Sequence, residues 1–164
     1  MTEVLQFVIA FIIHESGHFI SAGLLGVPLV SFTPVSIGAV MSFDFSNKSY
    51  ISEAIVHASG SALGIAFALL SFFIIGERAS YFLGISITLS AINLLPIIGF
   101  DGGGITKCLL SRLFLPDTAW RICKAISIIS IVILWTAVLW IELRTDGNMA
   151  LMVFILSLLV GMLK

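Results

Sequence analysis

The chain has 164 residues, of which 59% are hydrophobic and 10% charged, with a formal net charge of −1. A soluble domain carries about 25% charged residues, so this composition cannot cover a water-facing surface and excludes a soluble enzyme. The scattered basic residues exclude a nucleic-acid binder as well. What remains is an all-α polytopic membrane protein, read as a single membrane-embedded domain over residues 1–164.

A helix needs about 20 apolar residues to cross a bilayer. The first stretch of that kind runs from Val4 to Leu25 and is interrupted by His14, Glu15 and His18. Those ionisable residues, and the lack of a basic segment before it, mark it as a membrane helix rather than a signal peptide. Further spans are expected over Ile51 to Ile75, Ser80 to Ile98, Ala119 to Ile141 and Met149 to Leu163, about five transmembrane helices in all.

The connection from Gly26 to Tyr50 is different in kind. Val27, Val30, Phe32, Val35, Ile37, Val40, Phe43 and Phe45 are punctuated by Pro28, Pro34 and Gly38. That is too broken for a helix and too apolar for a solvated loop, so a short membrane-associated β-hairpin is expected between the first two helices. Irregular backbone at membrane depth survives only against protein or a wet cavity. The two thiols, Cys108 and Cys123, flank a short polar connection and read as unpaired rather than as a disulfide framework.

With five spans, Lys48, Lys107, Arg112, Arg121, Lys124 and Lys164 fall on one side of the membrane, and Arg78 and Arg144 on the other. This asymmetry places the connections after the first and third helices in the cytoplasm and the amino terminus outside.

The chemistry gathers in His14-Glu15-Ser16-Gly17-His18, an HExxH pattern inside an apolar helix. Residues four apart share a helical face, so both imidazoles can reach one Zn²⁺. Glu15 sits beside the first of them, able to take a proton from a metal-bound water without being a ligand. Three ionisable groups at membrane depth each cost on the order of 2.5–3.5 kcal/mol and need such compensation.

A catalytic zinc site usually has three protein ligands, and acidic candidates for the third are few. Glu3, Glu77, Glu142 and Asp146 fall on the outer side, Asp44 and Asp117 lie in connections, and Glu53 begins the second helix. Asp101 ends the third apolar helix, after Pro96 breaks it and before the glycines 102–104, on the membrane side where the first helix ends. Spacing alone leaves Asp101 open between a ligand and a plain helix-terminal aspartate.

Together these residues resemble the site-2 protease family of intramembrane zinc metalloproteases. HExxH matches at His14, Glu15 and His18, and the second family signature, N-x-x-P-x-x-x-x-D-G, matches at Asn93, Pro96, Asp101 and Gly102. The likeness covers residues 4–104 and draws nothing from the last sixty residues, where additional helices are expected over 119–164. The resemblance implies one zinc per chain held by His14, His18 and Asp101, with Glu15 as the catalytic base and an active site toward the cytoplasm. It also implies a β-rich segment after the first core helix, and transmembrane proteins as substrates.

One departure stands out. Family members often carry a proline and an asparagine in the second core helix, where this chain has Ala58-Ser59-Gly60-Ser61-Ala62-Leu63-Gly64 and keeps only the glycine. Small residues there still permit close helix packing. Asn93 is a candidate for contact with substrate backbone or a developing oxyanion, weighed evenly against helix packing. His57 is a candidate for lining a water path beside the ligands, weighed against an ordinary structural histidine. Trp120 and Trp140, near the ends of the fourth span, read as interfacial anchors.

The expected function is hydrolysis of peptide bonds in or near membrane segments, in a prokaryotic cell membrane, with a regulatory membrane partner acting in trans. The rivals are a membrane metal carrier and a catalytically silent helix-binding relative.

Overall fold

The computed structural model describes residues 3–35, 38–142 and 144. Its helices and strands are α1 (Glu3–Leu24), β1 (Leu29–Val35), β2 (Gly38–Phe43), α2 (Tyr50–Ile75), α3 (Ser80–Asn93), α4 (Asp101–Leu113) and α5 (Pro116–Glu142). Three helical stretches among the described residues are long and apolar enough to cross a membrane: Glu3–Leu24, Tyr50–Asn93 and Pro116–Trp140. The span expected over Met149 to Leu163, and Asp146 before it, lie outside the described residues. The chain divides into two compact units, Met1–Leu94 and Leu95–Lys164.

The first unit is a three-helix packet with a hairpin. At 1.5 Å per residue, the 22 residues of α1 and the 26 of α2 extend about 33 and 39 Å, enough for a hydrocarbon core of about 30 Å. Ser49 opens α2, its hydroxyl accepting from the Ser52 amide. Gly76 closes it, at a φ of 61° that favours glycine, and a 3-10 turn over Gly76–Ala79 leads into α3. Ala10, Ala68 and Phe82 form a buried contact of all three helices, backed by Ile9, Ile13, Leu83, Ile85 and Leu89. The small alanines bring the backbones together where lipid supplies no hydrophobic drive.

The expected hairpin is present. β1 and β2 pair antiparallel from Val35↔Gly38 to Leu29↔Phe43, with an irregularity between Leu29 and Ser31. Its base is anchored by Phe43 and Phe45, which pack on the buried cluster of Ala22, Val27 and Val56. Lys48 reaches back to donate to the Leu25 carbonyl at 2.8 Å, satisfying an acceptor at the end of α1. Asp44 accepts from the Ser46 amide at 2.9 Å, and the Ser46 hydroxyl and amide hold its carboxyl below the ordinary value.

In the second unit, Ile97, Ile131 and Val138 form the core, with Leu95, Phe100, Leu134 and Trp135 packed on it. Trp120 and Trp140 are exposed, in keeping with their reading as anchors. Pro116 is the first residue of α5, where its missing N–H costs nothing. Neither cysteine is in a disulfide.

Two expectations are corrected. The third span is expected over Ser80 to Ile98, but α3 ends at Asn93 after 14 residues, because Pro96 lacks a donor and disfavours helical backbone at the residue before it. Asp101, expected as the end of that helix on irregular backbone, is instead the first residue of α4, a helix of its own. The glycines at 102–104 sit inside its first turn. Two of them, Gly102 and Gly103, are buried, and a Cβ on Gly103 would overlap the Ile97 carbonyl.

Candidate metal centre

The histidines of the HExxH pattern lie one turn apart on α1, both buried, at 2% and 7% exposure. Their Nε2 atoms stand 3.2 Å apart, with the rings edge-to-face at a centroid distance of 4.9 Å. The tautomer of His18 follows from its surroundings. Its Nδ1 lies 2.7 Å from the Val56 carbonyl oxygen, which can only accept, so Nδ1 carries a proton, and in the neutral ring the lone pair then falls on Nε2. A carbonyl fixing the far nitrogen is the usual support of a metal-binding histidine.

The separation also fits a metal. Two imidazole nitrogens on one tetrahedral Zn²⁺, with bonds of about 2.0–2.1 Å, sit about 3.3 Å apart. Two imidazole nitrogens this close, both withdrawn from solvent, suit a borderline-soft cation that takes nitrogen ligands. Glu15, half-buried, follows His14 directly in α1.

The backbone of α2 forms the wall behind His18. Gly17 of α1 meets α2 so closely that a Cβ there would lie 2.5 Å from the Ser59 carbonyl oxygen and 2.8 Å from the Gly60 Cα. At this crossing the Ser59 hydroxyl lies 2.6 Å from the Val56 carbonyl and 3.0 Å from that of Gly17. Ser21 lies 2.7 Å from Ser59 and 3.0 Å from the His18 carbonyl. Each hydroxyl has one proton, so the two serines share these acceptors between the helices. The Val56 carbonyl, Gly60 and the Ser21–Ser59 pair were not singled out as site residues from sequence. The run of small residues from Ala58 to Gly64 signalled close packing, but nothing in it pointed to His18.

His57, half-buried on α2, lies beside Phe45, with ring centroids 6.1 Å apart. Asn93, the last residue of α3, donates from Nδ2 to the Leu89 carbonyl of its own helix at 3.0 Å. In the second unit, Asp101 is half-buried at the start of α4. The turn before it is held by Ser127 of α5, whose hydroxyl accepts from the Ile98 amide at 3.0 Å and lies 2.9 Å from the Cys123 carbonyl and 3.2 Å from that of Pro96.

Apolar helices, with a small antiparallel hairpin after the first of them, make up the described fold. The solved structure of the site-2 protease from Methanocaldococcus jannaschii has this fold. It is similar to the chain with a TM-score of 0.71 and 21% identity, over 96% of this chain and 74% of that one. No known protein-family model and no curated protein matches the chain.

Proposed function

We propose that the protein belongs to the site-2 protease family and is a zinc-dependent endopeptidase that cleaves peptide bonds in or near the membrane segments of other proteins. The observation that carries the reading is the histidine pair, two Nε2 atoms 3.2 Å apart with His18 held in the ligand tautomer by Val56. The second signature, at Asn93, Pro96, Asp101 and Gly102, supports it, as does the shared fold.

In this reading His14, His18 and Asp101 would hold one Zn²⁺. When bound, the ion would supply Lewis acidity and lower the pKa of water toward neutrality. Glu15 takes the proton of the attacking water on a carboxylate oxygen and delivers it to the leaving amine nitrogen. The protein's apolar helices keep bulk water from the reacting bond. Asn93 gives one amide proton to Leu89 and has a second, which can reach substrate backbone or the developing oxyanion. A substrate helix hides its amides in its own hydrogen bonds and must unwind to be cut. A strand edge of the hairpin can pair with the unwound segment. His57 lines the path of water in this reading. The asymmetry of lysines and arginines directs the centre toward the cytoplasm of a prokaryotic cell, where a membrane partner regulates it.

The test is zinc per chain in detergent-purified protein, alongside cleavage of a reconstituted membrane substrate. Wild type is expected to hold about one zinc. Asp101→Ala loses it. Glu15→Gln keeps it while cleavage falls about 10²–10⁴-fold, the range for a lost acid–base group. Wild type that takes up no zinc after incubation with the metal would overturn the reading.

A further inference from the structure

We infer that Gly60 is the positioning residue of His18: the backbone of α2, bare at position 60 and accepting at position 56, fixes the plane and tautomer of that imidazole. The inference rests on the metal reading above and deepens it. A Cβ on Gly60 would fall 2.6 Å from Cε1 and 2.8 Å from Cδ2 of His18, and closer still to Nε2; these ring atoms are the nearest things it would meet. The ring therefore lies flat against the α-carbon of Gly60, in volume that any other residue would occupy.

The ring cannot swing aside without loss, because its Nδ1 is tied to the Val56 carbonyl at 2.7 Å. Positions 56 and 60 are one helical turn apart and so share a face of α2. One holds the far nitrogen of the ring and the other makes room for the near one. A methyl at position 60 strikes the nitrogen that faces His14 across 3.2 Å, so a displacement of the ring spoils the pair and not merely the packing. Gly64, one turn further along, is buried too, but a Cβ there would make an ordinary 3.7 Å contact with the Ser90 hydroxyl. The two glycines thus separate site geometry from the general need for small residues.

The test compares the full-length wild type, Gly60→Ala and Gly64→Ala by competition for zinc against a chelator in micelles. Gly60→Ala is expected to weaken zinc binding about 10–100-fold, the usual cost of disturbing a ligand's support, with Gly64→Ala unchanged. Equal affinity in Gly60→Ala and wild type would overturn the inference. A second readout needs no metal. In ¹⁵N-histidine-labelled protein, His18 of the wild type shows a protonated Nδ1, and Gly60→Ala is expected to lose that signature. If wild type binds no zinc, the proposed function fails while this spectrum still decides the positioning role: an unchanged signature rejects it. The third measurement is a thermal-stability cycle, which holds even if Gly60→Ala folds poorly. With His18→Ala in place the methyl has room, so adding Gly60→Ala should cost nothing. A cost as large as in the wild-type background would refute the role.

Discussion

Replacing Gly17 by alanine places a methyl against backbone rather than against side chains that could turn away. The new Cβ would lie 2.5 Å from the Ser59 oxygen, 2.8 Å from the Gly60 Cα and 2.9 Å from the Ser59 carbonyl carbon, where ordinary contact begins at 3.4 Å. The two helices must therefore part by most of an ångström at their crossing. Overpacking of this kind costs about 1–3 kcal/mol. For a chain of this size each kcal/mol lowers Tm by about 2–4 °C, so a fall of about 2–12 °C is expected. The control is Gly23→Ala on the same helix, where a Cβ would meet nothing within 4 Å. Alanine's better helix propensity makes that change neutral or stabilising by up to about 1 kcal/mol. Thermal unfolding in one detergent, followed by helical circular dichroism, measures both. If Gly17→Ala melts at or above the temperature of Gly23→Ala, the close crossing of α1 and α2 is not rigid, and α2 does not hold the His18 ring in place.

Lys48→Met keeps the apolar stem but removes the charged donor to Leu25. Discounted for partial exposure, the loss is about 1 kcal/mol, read as a Tm lower by about 2–4 °C; an unchanged Tm would show that water replaces the lysine. Ser127→Ala leaves the Ile98 amide without its acceptor and should cost about 1–3 kcal/mol, with zinc affinity falling in parallel as the turn before Asp101 loosens. Full stability in that variant would mean the amide finds another partner. Gly103→Ala drives a methyl into the Ile97 carbonyl and should reduce folded yield and zinc content more than Gly99→Ala. Gly99 has open space around it and pays only for its φ of 97°.

Much of this arrangement is legible in the sequence. Apolar length marks α1, α2 and α5, and the mixture of β-branched residues, phenylalanine and proline marks the hairpin, because both signals are local. The histidines are legible because an i, i+4 pair has one geometric meaning on a helix. The start of α4 is not, since Gly102, Gly103 and Gly104 read as a turn by propensity. Only the close approach to the Ile97 carbonyl explains why glycine is needed inside that first helical turn. The shortness of α3 is hidden for a related reason: Ile97 and Ile98 continue the hydrophobic run, yet Ile97 is buried as a core residue of the second unit and not as part of a span. The role of Gly60 depends on which ring lies across from it, and no local pattern carries that.

The hydrogen bond from His18 to Val56 has a consequence for how such a centre would be charted by mutagenesis. Its acceptor is a peptide carbonyl, which every amino acid supplies, so side-chain scanning at position 56 would register lost volume and nothing about the imidazole. The dependence is genetically silent there and surfaces only at position 60, a residue with no functional group at all. Replacing the amide acceptor itself, through an α-hydroxy acid at position 57 that turns the Val56 carbonyl into a weaker ester acceptor, would expose by chemical synthesis what an inventory of side chains passes over.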